Sequence, residues 1–211
     1  MRTLLALAIL APAATAAELP TFAAADAKLE KIWSDGEFTE GPTAGPDGNI
    51  YFSDIGNRIL KFDPRTGKTT AFRDPSGRSN GLKFDAKGQL FACEGANTGG
   101  NRRISVTAKD GTVSTLADAF DGKRFNSPND LILDAKGRIY FSDPRYVGEE
   151  KRELDHESVF RVDPDGTVTR AIADVTKPNG LSISPDGKTL YVAEHHPTAA
   201  KQLLAYPLKA D

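Results

Sequence analysis

The 211-residue chain carries 27 lysine and arginine residues against 29 aspartate and glutamate residues, a formal net charge of −2. The two signs are interspersed without a basic stripe, which argues against nucleic-acid partners and against electrostatic attachment to a membrane. Cys93 is the single cysteine, so the chain forms no internal disulfide and must be stabilised by its core. Cys93 lies in the apolar run QLFACE, where we expect an inert, buried thiol.

The chain begins with the pattern of a secretory signal peptide. An apolar run at 4–11 follows Arg2, and small residues continue to Ala16. A basic start, a short apolar segment and an Ala-x-Ala cleavage site are typical of export signals, and the apolar run is too short to span a bilayer. The sequence therefore predicts a signal peptide over 1–16, cleavage near Ala16, a mature domain over 17–211 and a secreted or periplasmic location.

Short strands separated by tight turns are predicted along the rest of the chain. The apolar runs NIYFSD, QLFACE, RIYFSD and KTLYVAE each follow a turn that contains glycine, which supplies the positive φ that hairpin turns need. Further strands are predicted at 58–63, 69–74, 103–108, 113–118, 158–163 and 168–174, and 29–35 is expected to form an outer strand. Almost no helical periodicity follows the signal peptide, so we predict an all-β fold.

These strands fall into a four-fold repeat. Glu40, Asn80, Asn129 and Asn179 each precede a glycine by eight residues, and that glycine precedes an acidic residue by six or seven. A period of about 40 to 50 residues with several short strands per unit is typical of a β-propeller. The predicted blades are 41–79, 80–128, 129–178 and 179–211.

The repeat alone does not fix the number of blades, because propellers have about four to eight. We expect a six-bladed type of which this chain supplies about four blades, with the later blades missing from an apparently truncated sequence. A complete four-bladed ring is the alternative. Expressed alone, an open arc of blades would leave strand edges unpaired, and we expect such a chain to be poorly soluble.

The four repeat positions are expected to meet in a central channel, because the innermost strand of every propeller blade lines it. One carboxylate, from Glu40, and three amide oxygens would form an oxygen-only site of low charge. Such a site suits calcium, and it suits zinc poorly because it includes neither His nor Cys. For Asn80 taken alone, a local turn is the favoured interpretation, since Asn-Gly is a common turn pair. For Glu40, Asn129 and Asn179 together it is not, because the three share one repeat position.

The acidic residues that end the apolar runs receive a structural interpretation. They are Asp54, Glu94, Asp143 and Glu194. We expect them at the opposite side of the sheet from the channel positions, where each would accept backbone N–H bonds of a turn.

Several motifs together resemble those of one family. They are EGP at 40–42, NSPND at 126–130, YFSDP at 140–144 and PNG at 178–180. The chain resembles the gluconolactonase family, also called the senescence marker protein or luciferin-regenerating enzyme family, over residues 30–211. That resemblance implies a six-bladed propeller with a calcium or other divalent ion in its channel.

The resemblance also implies site residues. Glu40, Asn129 and Asn179 would be metal ligands, Asn129 partly through substrate or water, and Asn80 would line the channel. Calcium is the expected ion, with Mn²⁺, Mg²⁺ or Zn²⁺ as other divalent candidates. The family's remaining ligand is an Asp that is also its proposed general base. No residue up to Asp211 matches that Asp, so the catalytic residue is not identified and the fragment is expected to be inactive.

Substrate contacts are predicted at four positions. Arg124 and Asn126 precede Asn129 and could, with it, hydrogen-bond a polyhydroxylated ring. Tyr146 begins a long charged loop of the kind that covers pockets at a propeller rim. His156, at the end of that loop, is either a substrate contact or part of a solvated loop. The expected partner is a small-molecule lactone, with no nucleic acid and no membrane; no oligomeric state is predicted.

The sequence therefore predicts an exported, calcium-dependent lactonase of the gluconolactonase type. The one Gly-x-Ser-x-Gly match, GRSNG at 77–81, falls in a predicted all-β region and not at the strand-to-helix turn that a nucleophile elbow needs, so a serine-hydrolase mechanism has no support. One alternative is a non-catalytic propeller that binds a protein or a carbohydrate, because a propeller fold alone does not decide function. The other is an organophosphate hydrolase of the same family, since a channel metal can also polarise a phosphoryl oxygen.

Overall fold

A computed structural model describes residues 24, 26–96 and 99–209. The predicted signal peptide and its cleavage site lie outside these residues. The chain divides into two compact units, Met1–Ile32 and Trp33–Asp211. The first unit has no strand among its described residues, and all strands described below belong to the second. No helix of the described residues is long and apolar enough to cross a membrane.

The second unit consists of antiparallel sheets that follow one another along the chain. Sheet 1 contains β1 (Thr39–Ala44), β2 (Ile50–Asp54), β3 (Arg58–Asp63) and β4 (Lys68–Arg73). Sheet 2 contains β5 (Ser79–Phe84), β6 (Leu90–Glu94), β7 (Arg103–Thr107) and β8 (Val113–Ala117). A small hairpin, β9 (Ala119–Phe120) and β10 (Lys123–Arg124), follows. Sheet 3 contains β11 (Leu131–Leu133), β12 (Ile139–Ser142), β13 (Val159–Val162) and β14 (Val168–Ile172). Sheet 4 contains β15 (Pro178–Ile183), β16 (Thr189–Glu194) and β17 (Gln202–Pro207).

Each sheet is a simple meander in which every strand pairs with its neighbour in sequence. The strands are joined by tight turns, and Gly48, the first of the four repeat glycines, has the positive φ of 79° that its turn requires. The first strand of each sheet packs against the sheet that follows it. Four successive meanders packed in this way form a β-propeller, which confirms the all-β propeller prediction and its four repeat units.

One predicted strand is wrong. Residues 29–35 were expected to form an outer strand, but the structure describes no strand there. An isolated extended segment has no hydrogen-bond partner for its backbone, and a strand is stable only within a sheet. The first strand of the described chain is instead β1.

The hydrophobic core lies between neighbouring sheets. Its largest cluster joins sheets 2 and 3 around Phe125, Phe141 and Phe160, each fully buried. Cys93 belongs to the same cluster and is also fully buried, and burial raises the pKa of its thiol well above the usual value. Cys93 is therefore a core residue, as predicted. The other clusters join sheets 1 and 2 and sheets 3 and 4.

Candidate functional site

Three of the four repeat positions lie at irregularities in the first strand of a sheet. The pairing register shifts after Glu40 in β1, after Ser79 in β5 and after Pro178 in β15. A β-bulge bends the strand and turns a side chain away from its regular direction. The bulges therefore act on Glu40, Asn80 and Asn179, the residues that were predicted to face the channel.

The equivalent residue of sheet 3 is placed differently. Asn129 lies two residues before β11. Its N–H donates to the carbonyl of Ser142 at 2.9 Å, and the Ser142 N–H donates to the carbonyl of Asp130 at 3.0 Å. These two bonds extend the pairing of β11 with β12 back to Asn129, which thereby occupies the repeat position.

The four residues meet at the junction of two cavities. The outer cavity has a volume of about 430 Å³ and the inner cavity about 310 Å³. Glu40, Asn80, Asn129 and Asn179 are the residues that line both. We call these four residues the collar. All four repeat positions therefore border the same two cavities, and Asn80 is a wall residue there.

The side-chain oxygens of the collar are available to a ligand. Among the described residues, no hydrogen bond reaches the Glu40 carboxylate or the amide oxygens of Asn80, Asn129 and Asn179. The Asn179 amide nitrogen instead donates to the Tyr146 hydroxyl at 3.0 Å, which leaves its oxygen facing away from that bond. No described group of three His, Cys, Asp or Glu side chains is suited to a metal. A cation at the collar would therefore be held mainly by amide oxygens, which fits a hard ion such as calcium.

The collar backbone carries a second set of contacts, which joins the sheets. The Ser53 hydroxyl donates to the Asn80 carbonyl at 2.7 Å, and the Ser142 hydroxyl donates to the Asn179 carbonyl at 2.6 Å. The Gly81 N–H donates to the Asn129 carbonyl at 2.7 Å. Every asparagine of the collar thus accepts a hydrogen bond from the preceding sheet through its main chain. Its side chain is left for the cavity.

Glycine beside the collar allows this close approach. A Cβ at Gly81 would lie 2.7 Å from the Cα of Asp130 in the next sheet. A Cβ at Gly41 would collide with the carbonyl of Asn80. The Asn80-Gly81 pair lies inside β5 and is not a turn, so the turn interpretation of Asn80 is wrong. Its glycine serves the packing of one sheet against the next.

Sequence reasoning missed Asp130, which lines the inner cavity. Its Oδ2 accepts the N–H of Leu181 in the next sheet at 2.8 Å, and burial raises its pKa above the usual value. The signal was its place directly after Asn129 in the NSPND motif.

The outer cavity has walls of mixed character. Tyr146 and Val147 reach it from the charged loop, and Phe38, Arg78 and His195 also line it. These last three residues were not predicted there; they lie just outside β1, β5 and β16. The Tyr146 ring packs edge-on against His195 with centroids 5.7 Å apart.

Tyr146 is also contacted by Lys177, which forms an ion pair with Glu157. The Lys177 ammonium lies 5.0 Å from the centre of the Tyr146 ring. It also donates to the Glu157 carboxylate at 3.0 Å and to the Arg145 carbonyl at 2.8 Å. These contacts tie the loop to sheet 4. They keep the phenol beside Asn179.

Two predicted substrate contacts lie away from the cavities. Asn126 is fully buried, and its side-chain amide donates to the carbonyls of Asp143 and His156 at 3.3 Å each. Arg124 is exposed on β10 and donates to the Asn101 carbonyl at 2.7 Å. Neither is among the residues that line the two cavities. Asn126 supports the loop that ends at Asn129 through its amide N–H groups, while its Oδ1 is buried without a partner among the described residues.

The acids that end the second strands were expected on the side opposite the collar, and this is wrong. β1 and β2 run antiparallel, so Asp54 at the end of β2 pairs with Thr39 at the start of β1. Glu94 pairs with Ser79 and Glu194 with Pro178 in the same way. Each acid therefore lies at the collar end of its sheet.

Three of these acids accept backbone N–H bonds, as predicted. Asp54 accepts from Glu37 at 3.0 Å and Phe38 at 3.3 Å, and Asp143 accepts from Asn126 and Ser127 at 2.7 Å each. Glu194 accepts from Thr176 and from Lys177, the latter at 3.4 Å. Glu94 is the exception: it accepts from the side chains of Arg73, Asn101 and Arg103.

Asp143 is the acid whose ionisation is most perturbed. It is fully buried, and desolvation raises its pKa to about 7, although the two backbone N–H bonds and Arg102 act in the opposite direction. Near neutral pH, the Asp143 carboxyl is therefore protonated in part of the molecules and ionised in the rest. In the ionised state both oxygens are free to accept.

Asp143 should make the stability of the folded chain fall as pH rises from about 4 to about 7. Its folded pKa of about 7 exceeds the usual 3.8, so the folded state binds the extra proton in this range. The stabilisation by Asp143 is fully present below pH 3.8, its usual pKa. It is lost as the pH rises to the folded pKa of about 7, at about 1.4 kcal/mol per pH unit. Urea unfolding of wild type and Asp143→Asn at pH 5 and pH 8 measures it. The gap in unfolding free energy should shrink at pH 8; an equal gap at both pH values would contradict the assignment. Asp110→Asn, at an exposed turn, is the control.

The fold and the collar define a class: a β-propeller with an oxygen-lined central site. Residues 38–211 match the SMP-30/Gluconolactonase/LRE-like region, so the chain belongs to this family. The family resemblance stated from the motifs is confirmed.

Among curated proteins, the chain is 33% identical to a gluconolactonase of Zymomonas mobilis, over 87% of this chain and 56% of that protein. It is 30% identical to lactonase drp35 of Staphylococcus haemolyticus, over 78% of this chain and 50% of that protein. The chain thus spans about half the length of these relatives.

Solved structures agree. A gluconolactonase of Xanthomonas campestris superposes with a TM-score of 0.77 and 32% identity, over 84% of this chain and 61% of that one. The fold of a luciferin-regenerating enzyme is also similar, with a TM-score of 0.62 and 16% identity, over 85% of this chain and 58% of that one.

Proposed function

We propose that this chain belongs to an exported, metal-dependent hydrolase that opens a sugar lactone or a related lactone. The observation that carries the proposal is the collar, in which one carboxylate and three amide oxygens without hydrogen-bond partners among the described residues line the junction of two cavities. The names of the gluconolactonase and lactonase relatives support the reaction class. Export rests on the signal pattern at 1–16.

Glu40, Asn129 and Asn179 are the residues we propose as ligands of a calcium ion, or of another divalent cation. Such an ion, when bound, supplies Lewis acidity that polarises a carbonyl oxygen. Glu40 supplies the only negative charge of the collar, so it should dominate the attraction for a cation. The two asparagines provide neutral oxygens, which calcium accepts readily.

The other residues of the outer cavity bind and orient the substrate. Asn80 offers an amide to a ring oxygen or hydroxyl at the same level as the ligands. Tyr146 lies beside Asn179, and its position is fixed by the Asn179 amide and by Lys177. Phe38 and Val147 add apolar surface, which reduces the water around a bound ring. The matched part of this chain spans 56% and 50% of these two relatives, so the full reaction is proposed for the whole protein.

Calcium titration by isothermal calorimetry, followed by a panel of substrates, tests this function. We expect saturable binding of calcium, and in the full-length protein turnover of gluconolactone or another lactone that stops on chelation. Turnover of a phosphotriester in preference to every lactone would favour the organophosphate-hydrolase alternative. No binding of any divalent ion and no turnover would overturn the proposal in favour of a binding module.

The collar residues should contribute unequally to calcium affinity. Asn179→Ala should weaken binding by about tenfold, because water replaces a neutral oxygen imperfectly. Asn80→Ala should weaken it less, since Asn80 is assigned to the wall. Calorimetry on both variants measures the order, and Asn49→Ala, at the turn that follows β1, is the control. A larger effect of Asn80 than of Asn179 would contradict the proposed ligand set.

A further inference from the structure

We propose that the acids Asp54, Asp143 and Glu194 are positioning residues, each of which sets one ligand of the collar. We call them the clamp acids. This inference rests on the proposed function in one respect: it takes cation binding as the role of the collar. The clamp acids themselves line neither cavity and would not touch the cation.

The clamp acids share one register relative to the collar. Asp54 accepts the N–H groups of residues 37 and 38, which lie three and two positions before Glu40. Asp143 accepts those of residues 126 and 127, three and two before Asn129. Glu194 accepts those of residues 176 and 177, three and two before Asn179. The same two backbone groups are thus bound ahead of each proposed ligand.

Burial makes these bonds strong. The clamp acids are 1%, 0% and 7% exposed, in chain order. A carboxylate away from water forms charge-assisted hydrogen bonds to N–H groups that are about twice as strong as neutral ones. Two such bonds to consecutive residues fix the path of the backbone, so the entry of the strand that carries the ligand is held in one geometry.

The path from Asp143 to its ligand is short. Only Pro128 lies between Ser127, which Asp143 binds, and Asn129, and proline has a fixed φ. The residue before Asp143, Ser142, accepts the Asn129 N–H through its carbonyl. Asn129 is therefore held on both sides by the end of β12. Few backbone dihedral angles lie between the hydrogen bonds of Asp143 and the collar. A change in these bonds should therefore alter the position of Asn129.

Sheet 2 provides a natural comparison. Glu94 occupies the same place, and a Cβ at Gly77, three residues before Asn80, would collide with its carboxylate. Yet the carboxylate is taken by Arg73, Asn101 and Arg103. The collar residue that lacks a clamp is thus Asn80, the one that we assign to the cavity wall. Clamped positions and proposed ligands coincide in all four sheets.

The test compares Asp143→Asn with Glu94→Gln in the full 211-residue chain. Each variant replaces a fully buried acid at the same repeat position with its isosteric amide. Calcium affinity is measured by calorimetry, the midpoint of thermal unfolding by calorimetry or circular dichroism, and backbone exchange by hydrogen–deuterium mass spectrometry. An amide presents an NH₂ group to one of the two backbone donors, so Asp143→Asn keeps one bond and loses the other.

In Asp143→Asn we expect calcium affinity to fall by about 10- to 100-fold, the range found when residues that support metal ligands are replaced. Exchange of the peptide over 124–131 should quicken. Glu94→Gln should lower the unfolding midpoint but change calcium affinity by less than about twofold. Affinity that tracks the unfolding midpoint in both variants would reduce the clamp acids to general stabilisers and overturn the proposal.

Two further outcomes are decisive. If Asp143→Asn does not fold, Asp54→Ala takes its place, because both N–H bonds of Asp54 reach its Oδ1, which an amide could retain. The peptide over 36–42 is then the exchange probe, and the same loss of affinity is expected. If the wild-type chain binds no calcium, the proposed function fails. Exchange then still decides the positioning role: unchanged exchange of the clamped peptides in the variants overturns it, and faster exchange confined to them supports it.

Discussion

Replacement of Glu40 by glutamine should reduce calcium affinity by about 100-fold or more, and lactone turnover by the full-length protein should fall with it. The change keeps the shape and one oxygen of the side chain but removes the only charge of the collar. Supporting residues around metal sites are worth about 10- to 100-fold, so a charged ligand should exceed that range. Calorimetry beside turnover of one lactone measures both effects.

Glu37→Gln is the matched control for this experiment. Glu37 is an exposed glutamate three residues earlier, and it lines neither of the two collar cavities. It should bind calcium as the wild type does. Full activity and unchanged calcium affinity in Glu40→Gln would contradict the assignment of the metal site, and with it the lactonase proposal.

The largest effect on stability is expected from Phe160→Ala. Phe160 is fully buried and packs against three other rings, those of Phe120, Phe125 and Phe141, with centroids 5.3 to 5.6 Å apart. Its removal leaves a cavity between sheets 2 and 3, and such changes lower the free energy of unfolding by about 3–5 kcal/mol. Urea unfolding without calcium measures this loss independently of the site.

Val113→Ala is the comparison for Phe160→Ala. Val113 begins the edge strand β8 and is 38% exposed, so its truncation should change the free energy of unfolding by no more than about 0.5 kcal/mol. Equal losses in the two variants would mean that the aromatic cluster is not the structural centre of the fold.

The fold could be predicted from the sequence because the same pattern recurs in four segments. A repeat restricts the assignment of strands more than any single segment does. The eight-residue offset before each glycine predicted the hairpin from the first to the second strand of each sheet. The segment 29–35 has the composition of a strand, but pairing decides whether a strand forms, and pairing is a long-range property. The Asn80-Gly81 pair misled for a related reason, because its glycine is required by another sheet and not by a local turn.

The collar was predictable and its surroundings were not. Glu40, Asn129 and Asn179 occupy the repeat position, so symmetry alone places them together. Arg78 lies two residues before Asn80 and His195 directly follows Glu194, so both occupy repeat positions, but the residue type at these positions differs from one repeat to the next. The side of the sheet on which the clamp acids lie could have been inferred. An antiparallel hairpin returns the end of its second strand to the start of its first.

The hydrogen bonds between sheets at the collar have a consequence for how this family could diversify. The carbonyls of Asn80, Asn129 and Asn179 join neighbouring sheets, whereas their side chains face the cavities. Architecture and chemistry thus depend on different atoms of the same residues. A codon change at a collar position exchanges one ligand for another but keeps every main-chain bond that unites the sheets. Selection can therefore explore new metals and new substrates at these four positions while the inherited scaffold stays in place.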